Sequence, residues 1–142
     1  MIAAFVVVAM ALWAQPAIAT AGQLDASFGV GGVRSTDFGG TYDWAYAAAV
    51  QPDGKIVAAG VSDGAGTYDF ALARYRADGS VDPSFGHGGM VTTDFGASFD
   101  WVYALVLQPD GKILVGGVTD VSGSRDFALA RYLPNGSLDA SF

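Results

Sequence analysis

The chain repeats itself every 57 residues. Asp69-Phe70-Ala71-Leu72-Ala73-Arg74-Tyr75 returns unchanged as Asp126-Phe127-Ala128-Leu129-Ala130-Arg131-Tyr132, and Gln51-Pro52-Asp53-Gly54-Lys55-Ile56 returns as Gln108-Pro109-Asp110-Gly111-Lys112-Ile113. Asp25-Ala26-Ser27-Phe28-Gly29 is echoed by Asp82-Pro83-Ser84-Phe85-Gly86, and Leu138-Asp139-Ala140-Ser141-Phe142 opens a third copy. Aligned without a gap, residues 24–80 and 81–137 agree at 33 of 57 positions. A fixed period of this length marks an array in which each repeat is one supersecondary unit, stable only when stacked on a neighbour.

Four strands are expected per unit: Trp44 to Gln51, Lys55 to Ser62, Asp69 to Arg76 and, beyond a glycine cluster, Gly89 to Phe95. Pro52-Asp53-Gly54 turns the first into the second, with Pro pre-setting φ and Gly54 (Gly111 in the next copy) supplying φ > 0. The strands are apolar on both faces. Phe70 and Leu72 alternate with Ala71, Ala73 and Tyr75. A sheet with one wet face alternates apolar with polar, so these sheets must be covered on both sides. All 14 acidic residues are Asp and none is Glu, a bias toward turns rather than exposed helix, so no helix is on hand to cover them. Copies of the sheet must cover one another. The expected fold is all-β, with four-stranded blades of a β-propeller in a partial array. A two-sheet β-sandwich is the alternative, although it does not call for a gapless period.

Leu-Asp-x-Ser-Phe-Gly, Gln-Pro-Asp-Gly-Lys-Ile and Asp-Phe-Ala-Leu-Ala-Arg-Tyr, in this order from Leu24 to Phe142, resemble the bacterial delta-60 repeat. The resemblance implies a propeller-like tandem array in an exported or surface protein, without catalytic residues. Two full copies and the opening of a third are fewer than such arrays usually carry.

Ahead of the repeats, Ile2 to Ala14 is an apolar run of 13 residues leading to Ala17-Ile18-Ala19. The run is too short to span a bilayer as a helix and reads as a secretory signal peptide. The expected organisation is a signal peptide over 1–19, cut after Ala19 or Ala21, a linker over 20–23, repeats over 24–80 and 81–137, and the start of a third over 138–142. After cleavage no membrane span remains, and the protein is expected to be secreted, periplasmic or on the cell surface. A net charge of −7 disfavours nucleic acid, which needs a basic face. There is no cysteine, which excludes disulfides and thiolate chemistry.

Candidate sites divide into structural and functional groups. Arg74 and Arg131 stand on otherwise apolar strands and need partners, which Asp25, Asp82 and Asp139 can supply across the intervening turn. Asp63 and Asp69 bracket one loop, and Asp120 and Asp126 bracket its copy. Asp37 with Asp43, and Asp94 with Asp100, bracket another. Such loops serve either as Asx-turns or as weak calcium sites, and calcium is the one cofactor worth testing, with Asp63, Asp69, Asp120 and Asp126 as its candidate ligands. Tyr42, Trp44, Tyr46, Phe99, Trp101 and Tyr103 form either a rim that stacks on carbohydrate or packing between blades.

Three motif matches carry no chemistry. Gly60-Val61-Ser62-Asp63-Gly64 has the letters of a nucleophile elbow without the helix it needs. His87 is the only histidine and has no nucleophile to serve. Asn135-Gly136-Ser137 is a glycosylation sequon occupying a turn. The expected role is thus a non-catalytic exported module for scaffolding or binding. Its expected partners are further repeats, other copies of the chain, or protein or glycan. A propeller-type lyase or glycosidase with its active site elsewhere, and a calcium-stabilised adhesin array, are the alternatives.

Overall fold

The computed structural model describes residues 22–96 and 98–142, so the expected signal peptide lies outside the described residues. Seven strands form two antiparallel sheets. In the first, β1 (Asp43–Val50), β2 (Ile56–Ser62), β3 (Asp69–Tyr75) and β4 (Met90–Thr93) lie side by side in sequence order. In the second, β5 (Asp100–Leu107), β6 (Ile113–Thr119) and β7 (Asp126–Tyr132) repeat the first three. The first sheet therefore takes β1 to β3 from one sequence repeat and β4 from the next, so blade and repeat are out of phase.

The hairpins close as their sequences dictate. In each Gln-Pro-Asp-Gly-Lys turn the glycine N–H bonds back to the glutamine carbonyl at 2.9 Å, and Gly54 and Gly111 both sit at φ 82. A bulge then interrupts each innermost pairing. Ala45 faces Gly60 and Ala47 faces Ala59, leaving Tyr46 as the extra residue, and Tyr103 repeats this in β5. Bulges twist a strand and re-aim a side chain. This one brings the carbonyl of Trp44 to 1.8 Å from where a Cβ on Gly60 would stand, and Trp101 does the same to Gly117, so only glycine fits.

Val57, Ala59, Phe70, Leu72 and Phe85 pack against Val102, Ile113, Val115, Ala128, Ala130 and Tyr132, with Val91, Phe95, Leu105 and Leu107 at the margin. The Phe70 face of β3 thus meets the Ala128 face of β7, which corresponds to the opposite face of β3. Unlike faces meeting is a head-to-tail contact, which propagates along an array. A sandwich of the two repeats would set like against like. The chain leaves β4, the outer strand of one blade, and enters β5, the inner strand of the next. The fold is all-β and propeller-like, with the sheets not closed into a ring.

The two-sided burial expected of the strands holds for β3, where Asp69 to Arg74 are all buried. It fails for β7. Phe127 is 100% exposed and Leu129 57%, whereas their counterparts Phe70 and Leu72 are at 0%. Among the described residues no strand pairs with the outer edge of β7 and no blade covers its far face.

Candidate functional site

Three groups of polar or aromatic side chains stand out, each built where two elements meet. The first is the arginine node. Arg74 donates from Nε to Asp82 at 2.9 Å, from a terminal nitrogen to the Ser84 hydroxyl at 3.0 Å, and from the other to the Pro134 carbonyl at 2.6 Å. Its guanidinium lies 4.7 Å from the centre of the Phe85 ring. The Pro134 bond fastens the first blade to the turn after β7. Arg131 repeats the pairing with Asp139 at 2.8 Å and stacks on Phe142 at 4.6 Å, in a more open setting. Lys55 reaches Asp82 at 3.4 Å and Lys112 reaches Asp139 at 3.1 Å. Asp25 has no arginine among the described residues and caps Ser27 instead.

Burial alone would raise the Asp82 carboxyl, but the Ser84 hydroxyl and N–H, Arg74 and Lys55 more than offset this and hold it well below the usual carboxylate range. The Ser141 hydroxyl and N–H, with Lys112 and Arg131, do the same for Asp139. Depressed carboxylates stabilise the fold above their unfolded value, about 4, and that stability is lost as pH falls. Melting temperature in chelator is therefore expected to stay level from pH 7 to about 5 and to drop below about pH 4. Melts that were flat down to pH 2 would contradict the pairing. At the alkaline end, burial pushes Tyr132 up to about 12, against the Thr93 hydroxyl that bonds it at 2.8 Å. That contribution is complete below about pH 10 and fades as pH rises through 12.

The second group is an aromatic band. Tyr42, Trp44, Tyr46, Tyr68, Phe99, Trp101 and Tyr103 form a connected chain with ring centres 4.7 to 6.4 Å apart, running from one blade to the next. Tyr42, Trp44, Tyr46 and Tyr103 are exposed, while Tyr68, Phe99 and Trp101 are half-buried between them. Both readings of these rings are realised at once: the inner rings join the blades and the outer rings face solvent. Tyr68 has no aromatic counterpart in the other copy, where Arg125 stands, so the repeat pattern does not reveal it. Its backbone bridges to Phe99, and its carbonyl accepts the Asp100 N–H at 2.6 Å.

The third group is acidic. Asp69, Asp94 and Asp100 come together at the blade junction, with one oxygen of each within 4.8 Å of the others. Burial raises the Asp69 carboxyl, the Thr67 hydroxyl opposes this, and the charges of Asp94 and Asp100 add to the rise. The other acids named as calcium candidates are occupied differently. Asp63 accepts the N–H groups of Thr41 at 2.6 Å and Tyr42 at 2.9 Å, clamping a loop. Asp120 holds Ser98 and Phe99, each N–H at 3.1 Å. Asp126 is exposed and bonded to the Ser122 hydroxyl. The loop that Asp63 and Asp69 bracket does not bring them into one cluster; the partners of Asp69 come from the next blade.

The remaining motifs serve local structure. Ser62 ends β2, is buried, and accepts the Gly64 N–H at 3.1 Å. His87 is exposed, with its backbone bonded to Met90 at 2.8 Å. Asn135 caps Ser137 with its side chain and accepts the Gly86 N–H at 2.8 Å with its carbonyl, another link between blades.

Residues 51–85 and 108–142 each match the sequence model of a family described as "domain of unknown function (DUF5122) beta-propeller". No curated protein and no solved structure matches the chain significantly. The two matched stretches lie one period apart and run from the Gln-Pro-Asp-Gly turn to the Ser-Phe that follows the arginine node.

Proposed function

From a chain that carries two propeller-like repeats, we propose a non-catalytic exported module of the delta-60 type that works as a scaffold and binding surface at the cell surface. The aromatic band is the observation that supports this reading. Seven rings in contact across two blades, four of them exposed, offer a long apolar strip with hydroxyl and indole N–H groups. Such a strip suits the flat faces of a polysaccharide, where ring stacks on ring and the polar edges hydrogen-bond. The exposed acids and hydroxyls close turns on themselves, which leaves no nucleophile, base and orienting group in one place. The module's partners are further repeats of its kind, or other copies of the chain, seated on the open edge of β7.

Titration of the full chain with a linear β-linked hexasaccharide, followed by tryptophan fluorescence, tests the surface. Trp44→Ala and Tyr46→Ala are each expected to weaken binding about tenfold, since one lost stacking contact is worth roughly 1 kcal/mol or more. Tyr75→Phe, away from the band, should leave it unchanged. Absence of binding to glycans of every linkage tried would sink the carbohydrate reading.

A further inference from the structure

We propose that Asp69, Asp94 and Asp100 hold a calcium ion at the junction of the two blades. Asp69 opens β3 of the first blade, Asp94 follows β4, and Asp100 opens β5 of the second. Each spends one oxygen on the protein. Asp69 accepts the Thr67 hydroxyl at 2.9 Å, Asp94 the Gly96 N–H at 2.5 Å and Asp100 the Phe95 N–H at 2.9 Å. That leaves one oxygen of each for the cluster. Asp100 is 0% exposed, and its Oδ1 has no hydrogen-bond partner among the described residues. A buried carboxylate oxygen without a donor is costly and calls for a counter-charge. No lysine or arginine among the described residues forms an ion pair with any of the three.

The donor set chooses the ion. Carboxylates with no histidine or cysteine suit a hard cation. Calcium bonds oxygen at about 2.3–2.6 Å, so two of its ligands can stand as much as about 5.2 Å apart; magnesium, at about 2.1 Å, allows about 4.2 Å. An opening of up to 4.8 Å between oxygens fits the larger ion. Water and backbone carbonyls complete its six to eight ligands.

The repeat provides an internal control. One period earlier, Asp37 and Asp43 make the same bonds, to Gly39 N–H at 2.6 Å and Phe38 N–H at 2.9 Å, and Asp43 Oδ1 is likewise without a partner. The third acid is missing there, because the position one period before Asp69 is Leu12. Two blades must meet to make the site.

The full chain, stripped with chelator, is titrated with calcium chloride in a calorimeter and melted at constant ionic strength. One saturable site is expected, with Kd on the order of 10⁻⁴–10⁻³ M as in extracellular modules, and a melting temperature that rises with calcium. Asp69→Asn and Asp100→Asn should abolish both responses, yet melt in chelator no lower than the unaltered chain because they remove like-charge repulsion. Asp94→Asn is exposed and spares the core; it should weaken calcium at least tenfold even if the buried variants fail to fold. No saturable heat and unchanged melts at 10 mM calcium would overturn the proposal. So would calcium binding that survives Asp94→Asn, or an equal response to magnesium.

Discussion

Arg74→Ala is expected to cost about 3 kcal/mol of stability and to lower the melting temperature by roughly 10 °C. The side chain of Arg74 is 6% exposed and that of Asp82 4%, so truncation strands a buried carboxylate. It also cuts the bond to the Pro134 carbonyl between blades and the contact with Phe85. The lower end of the range for broken buried pairs applies because Lys55, at 3.4 Å from Asp82, remains to share the charge. Arg131→Ala should cost distinctly less, since its side chain is 19% exposed and its hydrogen bonds reach only Asp139 and Ser141. Thermal and urea melts of the two variants measure this. Equal losses, or none from Arg74→Ala, would show that the node on the first blade is no more than a solvated ion pair.

The second large effect is on self-association. The unaltered chain is expected to form oligomers at micromolar concentration, and Phe127→Lys with Leu129→Lys to return it toward monomer. Within the chain, β4 covers the outer edge of β3 in a fixed register, Phe70 with Thr93 and Ala73 with Met90. Shifted by one period, the same register would set Thr36 opposite Phe127 and Val33 opposite Ala130. The segment around Val33 to Thr36 already lies against the first blade as β4 lies against the second. Thr36 bonds the Tyr75 hydroxyl at 2.8 Å, as Thr93 bonds Tyr132, and Gly29 bonds the Asp78 carbonyl at 2.8 Å, as Gly86 bonds Asn135. One copy thus offers the edge and another the strand. Burying a phenylalanine and a leucine contributes roughly 3–6 kcal/mol, so the double variant should weaken association a hundredfold or more. Because the contact is head to tail, it closes into rings or runs on as filaments. Light scattering across a concentration series decides: a unaltered chain that stays monomeric at 100 µM, with a sharp melt, would rule this out.

Most of the fold was legible before any coordinates. Identical spacing at 57 residues set the unit, Pro-Asp-Gly set the hairpin turns, and alternation of Phe70 and Leu72 with Ala71 and Ala73 required cover on both faces. The pairing of Arg74 with Asp82 and of Arg131 with Asp139 was also legible, since eight residues and one tight turn separate each pair. Turn chemistry and strand period act between near neighbours, where sequence distance and spatial distance agree.

What sequence by itself determined was therefore the blade: its strands, its turns, and the acid that answers each arginine. Tertiary structure alone decided how blade meets blade. Asp69 was read with Asp63, six residues away, yet its partners are Asp94 and Asp100, 25 and 31 residues on in the next sheet. Tyr68 enters the aromatic band through the same junction. Phe70 and Phe127 sit in identical heptapeptides, and one is fully buried while the other is fully exposed. The physical reason is common to all three. Burial and charge clustering depend on what lies across a face, and an exact repeat writes the same face twice without stating what will cover it.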